Sequence, residues 1–230
     1  MNLLKLTFLG FLFQLSLASY AQVAVNLSVG GNMSKINAIN VNGFDIETTY
    51  KPGFQAGATF DIPLSERVLF YPGVMFANKG YKNTSAAGKT TLSANFLEIP
   101  VNVLYKFNLG SGNLLVGAGP YVTYGLGGKW KFSKGNASDT VIYITSGPLE
   151  FVDDYSRRSS ASNSIPYGRK LDFGGNGILG IEKKRLKILL EGQVGLLNLE
   201  PFEAGVRPVH ASQQTLGLKL HFVYKLLTIN

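Results

Sequence analysis

The chain contains no cysteine, only two histidines and one tryptophan, and charged residues make up 16% of its 230 residues. Without cysteine there are no disulfides, so a small secreted scaffold held together by cross-links is excluded. A lipid-modified N-terminal cysteine is excluded for the same reason. Two scattered histidines without cysteine provide no ligand set for a catalytic metal. We therefore predict neither a metal nor a cofactor.

The chain also lacks an apolar run of the roughly 18 residues that a transmembrane helix needs. Its apolar run from Leu6 to Leu17 is shorter, and the small residues Ser19 and Ala21 follow it. This arrangement is typical of a secretory signal peptide that is cleaved after Ala21. An uncleaved membrane anchor is the alternative. Since no linker or low-complexity tract divides the remainder, we predict a signal peptide over 1–21 and one domain over 22–230.

Acidic residues are fewer than basic ones, and the formal net charge is +8. A basic balance can indicate a nucleic-acid partner. An exported chain without a basic helix does not fit that reading, so we predict no nucleic-acid binding. The 27 glycines and 26 phenylalanines and tyrosines (15 and 11) indicate instead a turn-rich, aromatic β-protein.

Polar and apolar residues alternate in the stretch NFLEIPVNVLYKF at 95–107. Glu98, Pro100, Asn102 and Lys106 occupy even positions, whereas the odd ones are apolar from Leu97 onward. Only a strand sends such sets to opposite faces. The same alternation predicts eight strands, near residues 23–30, 54–62, 67–78, 95–107, 113–126, 170–182, 185–198 and 215–227.

The predicted connections alternate between short and long. PLSER, NLGSGN and EKK are short, and the gaps between them are longer. This is typical of an outer-membrane barrel with tight periplasmic turns and long external loops. We therefore predict an all-β fold, an eight-stranded antiparallel transmembrane β-barrel of the up-and-down OmpA/OmpX type. It would be a monomer in the cell outer membrane with both termini in the periplasm.

A water-soluble barrel of lipocalin type would share this periodicity but would turn its apolar face inwards. Glycines on the second face, such as Gly57, Gly117 and Gly119, favour the membrane barrel, because water-exposed strands are poor in glycine. Aromatic residues near the strand ends, including Phe96, are predicted to mark the membrane interfaces.

The interior of an eight-stranded barrel is narrow enough for side chains to fill. Ionisable residues on the second face should then pair across the lumen, because an unpaired buried charge is costly. The predicted lumen charge network consists of Asp61, Glu98, Lys106, Asp172, Glu191, Lys219 and Lys225. A plugged barrel follows. A narrow porin-like pore is the alternative, if these charges are too few to fill the lumen.

The external loops are the best candidates for binding. Asn42-Gly43 predicts a protruding two-residue hairpin, and Ser146-Gly147-Pro148 a second one. Their edges could accept a strand from a protein partner. If the two arms of the second hairpin also cross the membrane, the barrel has ten strands, which is the alternative. Cations around the longest loop could contact lipopolysaccharide phosphates or simply solubilise the surface: Lys129, Lys131, Lys134, Arg157 and Arg158.

An enzymatic reading rests on three residues of the external loops. A histidine and acidic residues at the rim of a barrel can activate water, and His210, Asp153 and Asp154 are the candidates here. No carboxylate adjoins His210 in the sequence to orient it. We therefore predict no catalytic residues and no enzyme, with a rim hydrolase as a remote alternative.

Several stretches resemble a known family in order and spacing: GFQAGATFDIPLSERVLFYPGVMF, KGYK, FLEIPVNVLYKF, GPYV, KLDFGGNGILGIE and GQVGLLNL. They resemble the PorT-type outer-membrane β-barrel domain of Bacteroidetes over roughly residues 23–227. The run Leu97 to Pro100 is the most specific element. The resemblance implies an eight-stranded outer-membrane barrel, usually without assigned activity. A part in type IX secretion, the role of the family's namesake, is a further alternative.

Overall fold

The computed structural model describes residues 22–135, 141–157 and 164–229, so the predicted signal peptide lies outside the described residues. The strands are β1 (Val23–Ile39), β2 (Asp45–Ile46), β3 (Thr49–Pro63), β4 (Val68–Ser85), β5 (Gly88–Asn108), β6 (Asn113–Gly135), β7 (Val141–Phe151), β8 (Ile165–Gly168), β9 (Leu171–Lys183), β10 (Leu186–Gly195) and β11 (Ser212–Ile229). A 3-10 turn covers Tyr155–Arg157. In these described segments no helix has the length and apolar character to cross a membrane.

Eight of the strands pair in a closed antiparallel ring. The order around the ring is β1, β3, β4, β5, β6, β9, β10, β11 and back to β1. The closing pair runs from Val23 opposite Ile229 to Ile39 opposite Ser212. The predicted eight-stranded barrel is confirmed, and closure leaves neither barrel edge unpaired.

The barrel carries its apolar side chains outside. Along β10 the burial alternates residue by residue, with Lys187, Glu191 and Gln193 buried and Ile188 and Leu190 exposed by 42% and 46%. This orientation is the reverse of that in a water-soluble barrel, whose apolar face lines the interior. The lipocalin-type alternative is therefore wrong.

The end of the barrel opposite the short turns extends into a sheet of four strands. β6 pairs with β9 only as far as Tyr124 and then pairs with β7 from Gly128 onward. β4 and β5 stay paired up to Ser85 opposite Gly88. The long loop expected between the third and fourth barrel strands is therefore wrong, because the strands themselves continue to a tight turn. We call residues 80–85, 88–94, 128–135 and 141–149 the protruding sheet.

The two predicted external hairpins differ in outcome. Asn42-Gly43 does lie in a hairpin, but the loop is longer than two residues: the Asn40 side chain accepts hydrogen bonds from the Asn42 and Phe44 amides at 2.9 and 3.0 Å. Only two residue pairs of β1 and β2 flank it.

The second predicted hairpin is wrong. Ser146–Pro148 lies inside the continuous strand β7, and Pro148 pairs with Lys129. Proline is tolerated there because the second neighbour of β7 begins only at Leu149. β7 and β8 lie outside the ring, so the barrel has eight strands rather than ten.

Candidate functional site

Five ionisable side chains form a continuous chain of contacts in the middle of the lumen. We call Lys79, Glu98, Glu191, Lys219 and His221 the central cluster; all five are buried. Glu98 accepts hydrogen bonds from Lys79 and from Lys219, the latter at 2.5 Å. Lys219 also donates to Glu191 at 2.7 Å, and His221 lies 3.3 Å from the other oxygen of Glu191.

The strand order explains why the central cluster blocks the lumen. Glu191 and Lys219 are direct neighbours across the β10–β11 pair. Glu98 is on β5, four places from β11 in the ring of eight, and therefore on the opposite wall. The Lys219–Glu98 ion pair thus spans the full diameter of the barrel.

A second group of charges lies near the short turns. We call Asp61, Lys106, Glu182, Lys187 and Lys225 the turn-end cluster. Lys187 contacts Asp61 and lies 3.8 Å from Glu182. Lys106 is 3.6 Å from Glu182 and Lys225 is 3.9 Å from Asp61. These last two lysines keep 23% and 29% of their side chains exposed, so they lie at the mouth of the barrel.

The structure brings six of the seven predicted lumen charges into these clusters, and Asp172 is the exception. Its carboxylate accepts hydrogen bonds from the hydroxyls of Tyr121 at 3.2 Å and Thr215 at 2.6 Å. Among the described residues no cation lies within ion-pair distance of it. The expected pairing of Asp172 is therefore wrong, because Lys79, which lines the same cavity, bonds Glu98 and Gln193 instead.

Four members of the clusters were not among the residues of the predicted network: Lys79, Glu182, Lys187 and His221. The signal was present in the alternation. Lys187 shares the parity of Glu191, and Glu182 shares that of Asp172. Lys79 lies one residue beyond the predicted end of its strand. Glu182, Lys187 and His221 already lie within predicted strands, and extending the strand of Lys79 by one residue would have placed that side chain in the lumen as well.

Apolar layers complete the filling. One packs near the short turns and comprises Leu69, Tyr71, Leu104, Leu115, Ile178, Leu189 and Val223. The other, which we call the aromatic cap, closes the opposite end and comprises Leu92, Ala94, Phe96, Trp130, Leu149, Phe151 and Tyr167. A cavity in either layer would deprive the side chains around it of dispersion contacts.

The aromatic cap is assembled from β5 and β6 of the barrel wall and from the strands β7 and β8 that follow them. The ring centroids of Phe96 and Phe151, and of Phe151 and Tyr167, are 5.3 Å apart. Phe96 points into the lumen, so its predicted place at the membrane interface is wrong. Gly125 makes room for the cap, because a Cβ there would lie 2.5 Å from the Phe151 ring.

The space left between the cap and the central cluster is small. A cavity of about 10 Å³ lies among Lys79, Phe96, Tyr167, Asp172 and Lys219. This volume has room for about one water molecule. Side chains therefore fill the lumen at this level.

The residues predicted to contact lipopolysaccharide lie in different parts of the structure. Lys129 and Lys131 flank the buried Trp130 on β6 and are exposed on the outer face of the protruding sheet. Directly below them on the same strand, Tyr124 and Leu126 are exposed by 45% and 55%. Lys134 is exposed near the end of β6, and Arg157 ends the 3-10 turn. Arg158 lies outside the described residues.

The residues proposed for a rim hydrolase have structural roles or stand apart. Asp154 accepts hydrogen bonds from the Ser156 amide and hydroxyl and from the Ala204 and Gly205 amides, at 2.7 to 3.2 Å. These bonds, those of Ser156 first, hold the pKa of Asp154 below its usual value of 3.8. The Asp154 carboxylate thereby joins two loops at the barrel end opposite the short turns.

His210, the base that a rim hydrolase would need, is exposed. Asp153 is 3.8 Å from Arg169. In the described part of the chain, no hydrogen bond or ion pair connects His210 with either aspartate. Nor do the described residues contain a group of three histidines or carboxylates that could hold a metal. The geometry therefore supplies no argument for hydrolysis.

A family model for the "Outer membrane protein beta-barrel domain" matches residues 14–199. The chain belongs to this outer-membrane β-barrel family. Membership places the outward apolar face of the barrel in lipid. No curated protein sequence matches the chain.

Solved structures resemble the barrel at low sequence identity. OprG from Pseudomonas aeruginosa is 12% identical, with a TM-score of 0.49, over 90% of this chain and 96% of its own. Neisserial surface protein A is 9% identical, with a TM-score of 0.40, over 89% and 99%. Ail of Yersinia pestis, solved with the heparin analogue sucrose octasulfate, is 11% identical, with a TM-score of 0.37, over 88% and 99%.

Proposed function

We propose that this outer-membrane barrel is a closed, non-enzymatic protein that does not conduct solutes and acts through its external surface. One observation carries the proposal: the Lys219–Glu98 ion pair crosses the whole diameter of the lumen. The aromatic cap and the apolar layer near the short turns fill the space on either side of it. A solute would have to displace buried, paired charges, which is costly.

Single-channel recording in planar bilayers tests the closed lumen. The purified protein should give no stable conductance. A variant with Glu98→Ala, Lys219→Ala and Phe151→Ala removes the diametric ion pair and thins the cap, so it should conduct. Heat-dependent migration on a gel verifies that both are folded. Channels in the unaltered protein as frequent as those in the variant would establish the narrow pore instead.

The proposal places the short turns and both termini in the periplasm and the protruding sheet outside the cell. Lys129 and Lys131 then lie just above the outward Tyr124 and Leu126, at the height of the outer-leaflet phosphates. Charge-assisted hydrogen bonds to phosphate are stronger than neutral ones. Lipopolysaccharide is therefore the first proposed partner of the outer surface.

A protein partner of the outer surface is proposed at a sheet edge. β8 pairs only with β7 among the described strands. Its other edge can accept a strand from another protein. The narrower relation to PorT-type barrels and a part in type IX secretion stay predictions.

A further inference from the structure

We propose that the turn between β9 and β10 binds the phosphate of an anionic phospholipid in the leaflet on the short-turn side of the membrane. Lys183, Lys184 and Arg185 are three consecutive exposed cations at this turn. Among the described residues no carboxylate lies within 4.0 Å of any of them. Their positive charge is left for a ligand.

An open groove of about 550 Å³ adjoins these cations. Its remaining wall is apolar and belongs to the lipid-facing surface: Ile181, Leu186, Ile188 and Tyr224, each exposed by 42% to 59%. An acyl chain fills such a groove, because an empty one would lose dispersion contacts along its lining. Cations at the end of an acyl-chain groove fit a lipid with a negatively charged headgroup.

The backbone of the turn adds an independent observation. Lys184 has a φ of +56°, a region that side chains other than glycine and asparagine rarely adopt. Glycine would take this conformation without strain. Strained residues concentrate where the side chain has a task. A lysine at this position is retained at some conformational cost, which fits a role for its ammonium group.

The other two short turns lack this combination of charges. The turn after β3 carries Glu66 beside Arg67, whose charges cancel, and residues 109–112 of the turn after β5 carry no charge. A cationic rim meant only for general attraction to lipid would not be confined to one turn. The asymmetry indicates a site at the β9–β10 turn.

Native mass spectrometry of the full barrel tests the site. The probe is palmitoyl-oleoyl phosphatidylglycerol, compared with phosphatidylcholine that carries the same acyl chains. The unaltered protein should retain one phosphatidylglycerol, and Lys184→Gly with Arg185→Gln should weaken retention about tenfold, as expected for the loss of charge-assisted hydrogen bonds. The thermal midpoint of Lys184→Gly alone should not fall, because glycine relieves the strain.

Two matched variants locate the effect. Arg67→Gln removes a cation at another short turn, and Lys129→Gln with Lys131→Gln removes cations of the protruding sheet; both should retain phosphatidylglycerol as the unaltered protein does. Equal retention of the two lipids, undiminished retention in the turn variant, or equal losses in the Arg67 variant would overturn the proposal.

Only the choice of leaflet rests on the orientation proposed above. Conductance through the folded barrel would defeat the closed-lumen function without altering lipid retention. The two failures are therefore distinguishable.

Discussion

Lys219 is buried with only 1% of its side chain exposed, yet it carries a charge in the middle of the barrel. Two carboxylates, Glu98 and Glu191, contact its ammonium group within 2.7 Å. Well-packed apolar residues in place of the whole network would cost little stability. The removal of one member instead leaves the remaining charges buried with fewer partners. The buried charge of Lys219 is therefore stable only because Glu98 and Glu191 are in contact with it.

Lys219→Met should lower the free energy of unfolding by about 3 kcal/mol, since Glu98 and Glu191 lose the ammonium group that they share and keep only Lys79 and His221 as partners. Lys225→Met is the matched control. Its side chain is 29% exposed and its ammonium lies 3.9 Å from Asp61, so its loss should cost less than about 1 kcal/mol. Urea unfolding of the folded barrels in lipid vesicles measures both values. Equal costs for the two substitutions would show that burial does not set the energy of these pairs.

At the residue scale the sequence predicted which side of a strand each residue occupies but not its partner. Asp61 and Glu98 were assigned to the lumen from parity alone, and they lie there. The hydroxyl partners of Asp172 could not be foreseen, because Tyr121 and Thr215 are 51 and 43 residues away along the chain. Which groups meet depends on the stagger of eight strands, and no local pattern records that stagger.

At the element scale, the strands extend beyond the lengths that a membrane requires. β4 and β5 have 18 and 21 residues, whereas about 9 to 11 residues cross a bilayer. Their alternation ends near the β4–β5 turn, where residues 83–85 and 88–91 carry no large apolar side chain. The residues Ser146-Gly147-Pro148 are typical of a turn, but here they form part of a strand. Their pairing with β6 outweighs their local preference for a turn.

Shortening the β4–β5 hairpin should leave the barrel intact. Replacement of residues 83–90 by Asn-Gly closes the hairpin on the existing pair of Lys82 and Thr91 with a turn suited to two residues. The variant should keep its heat-dependent gel migration, with a thermal midpoint within a few degrees of the unaltered protein. Ala86→Asn with Ala87→Gly, which changes the turn without shortening it, is the control. A shortened variant that fails to fold would show that the protruding sheet is needed for barrel assembly.

At the scale of the whole molecule, closure decides what each surface contacts. The ring of eight strands satisfies every barrel edge, and its outer face is apolar around the circumference. A surface of this kind is stable in hydrocarbon, where only closed barrels and helices satisfy their backbone groups. The charges are then confined to the lumen and to the two ends beyond the lipid.

The absence of cysteine from the chain allows a direct test of the proposed orientation. Ala87→Cys lies at the tip of the protruding sheet and Ser111→Cys in a short turn, and both positions are exposed. A membrane-impermeant maleimide should label Ala87→Cys in intact cells. Ser111→Cys should be labelled only after the outer membrane is opened. The reverse pattern would place the short turns outside and invert the proposed topology.

The sequence by itself determined the number of barrel strands and the face of most strand residues, Phe96 excepted, because side chains alternate along a strand and this period is local. It also determined the inverted polarity, since glycine and charge share one face. Tertiary structure decided the diametric ion pair, the aromatic cap and the protruding sheet. These depend on which strands are opposite and how far they are staggered, and such distances arise only when the sheet closes.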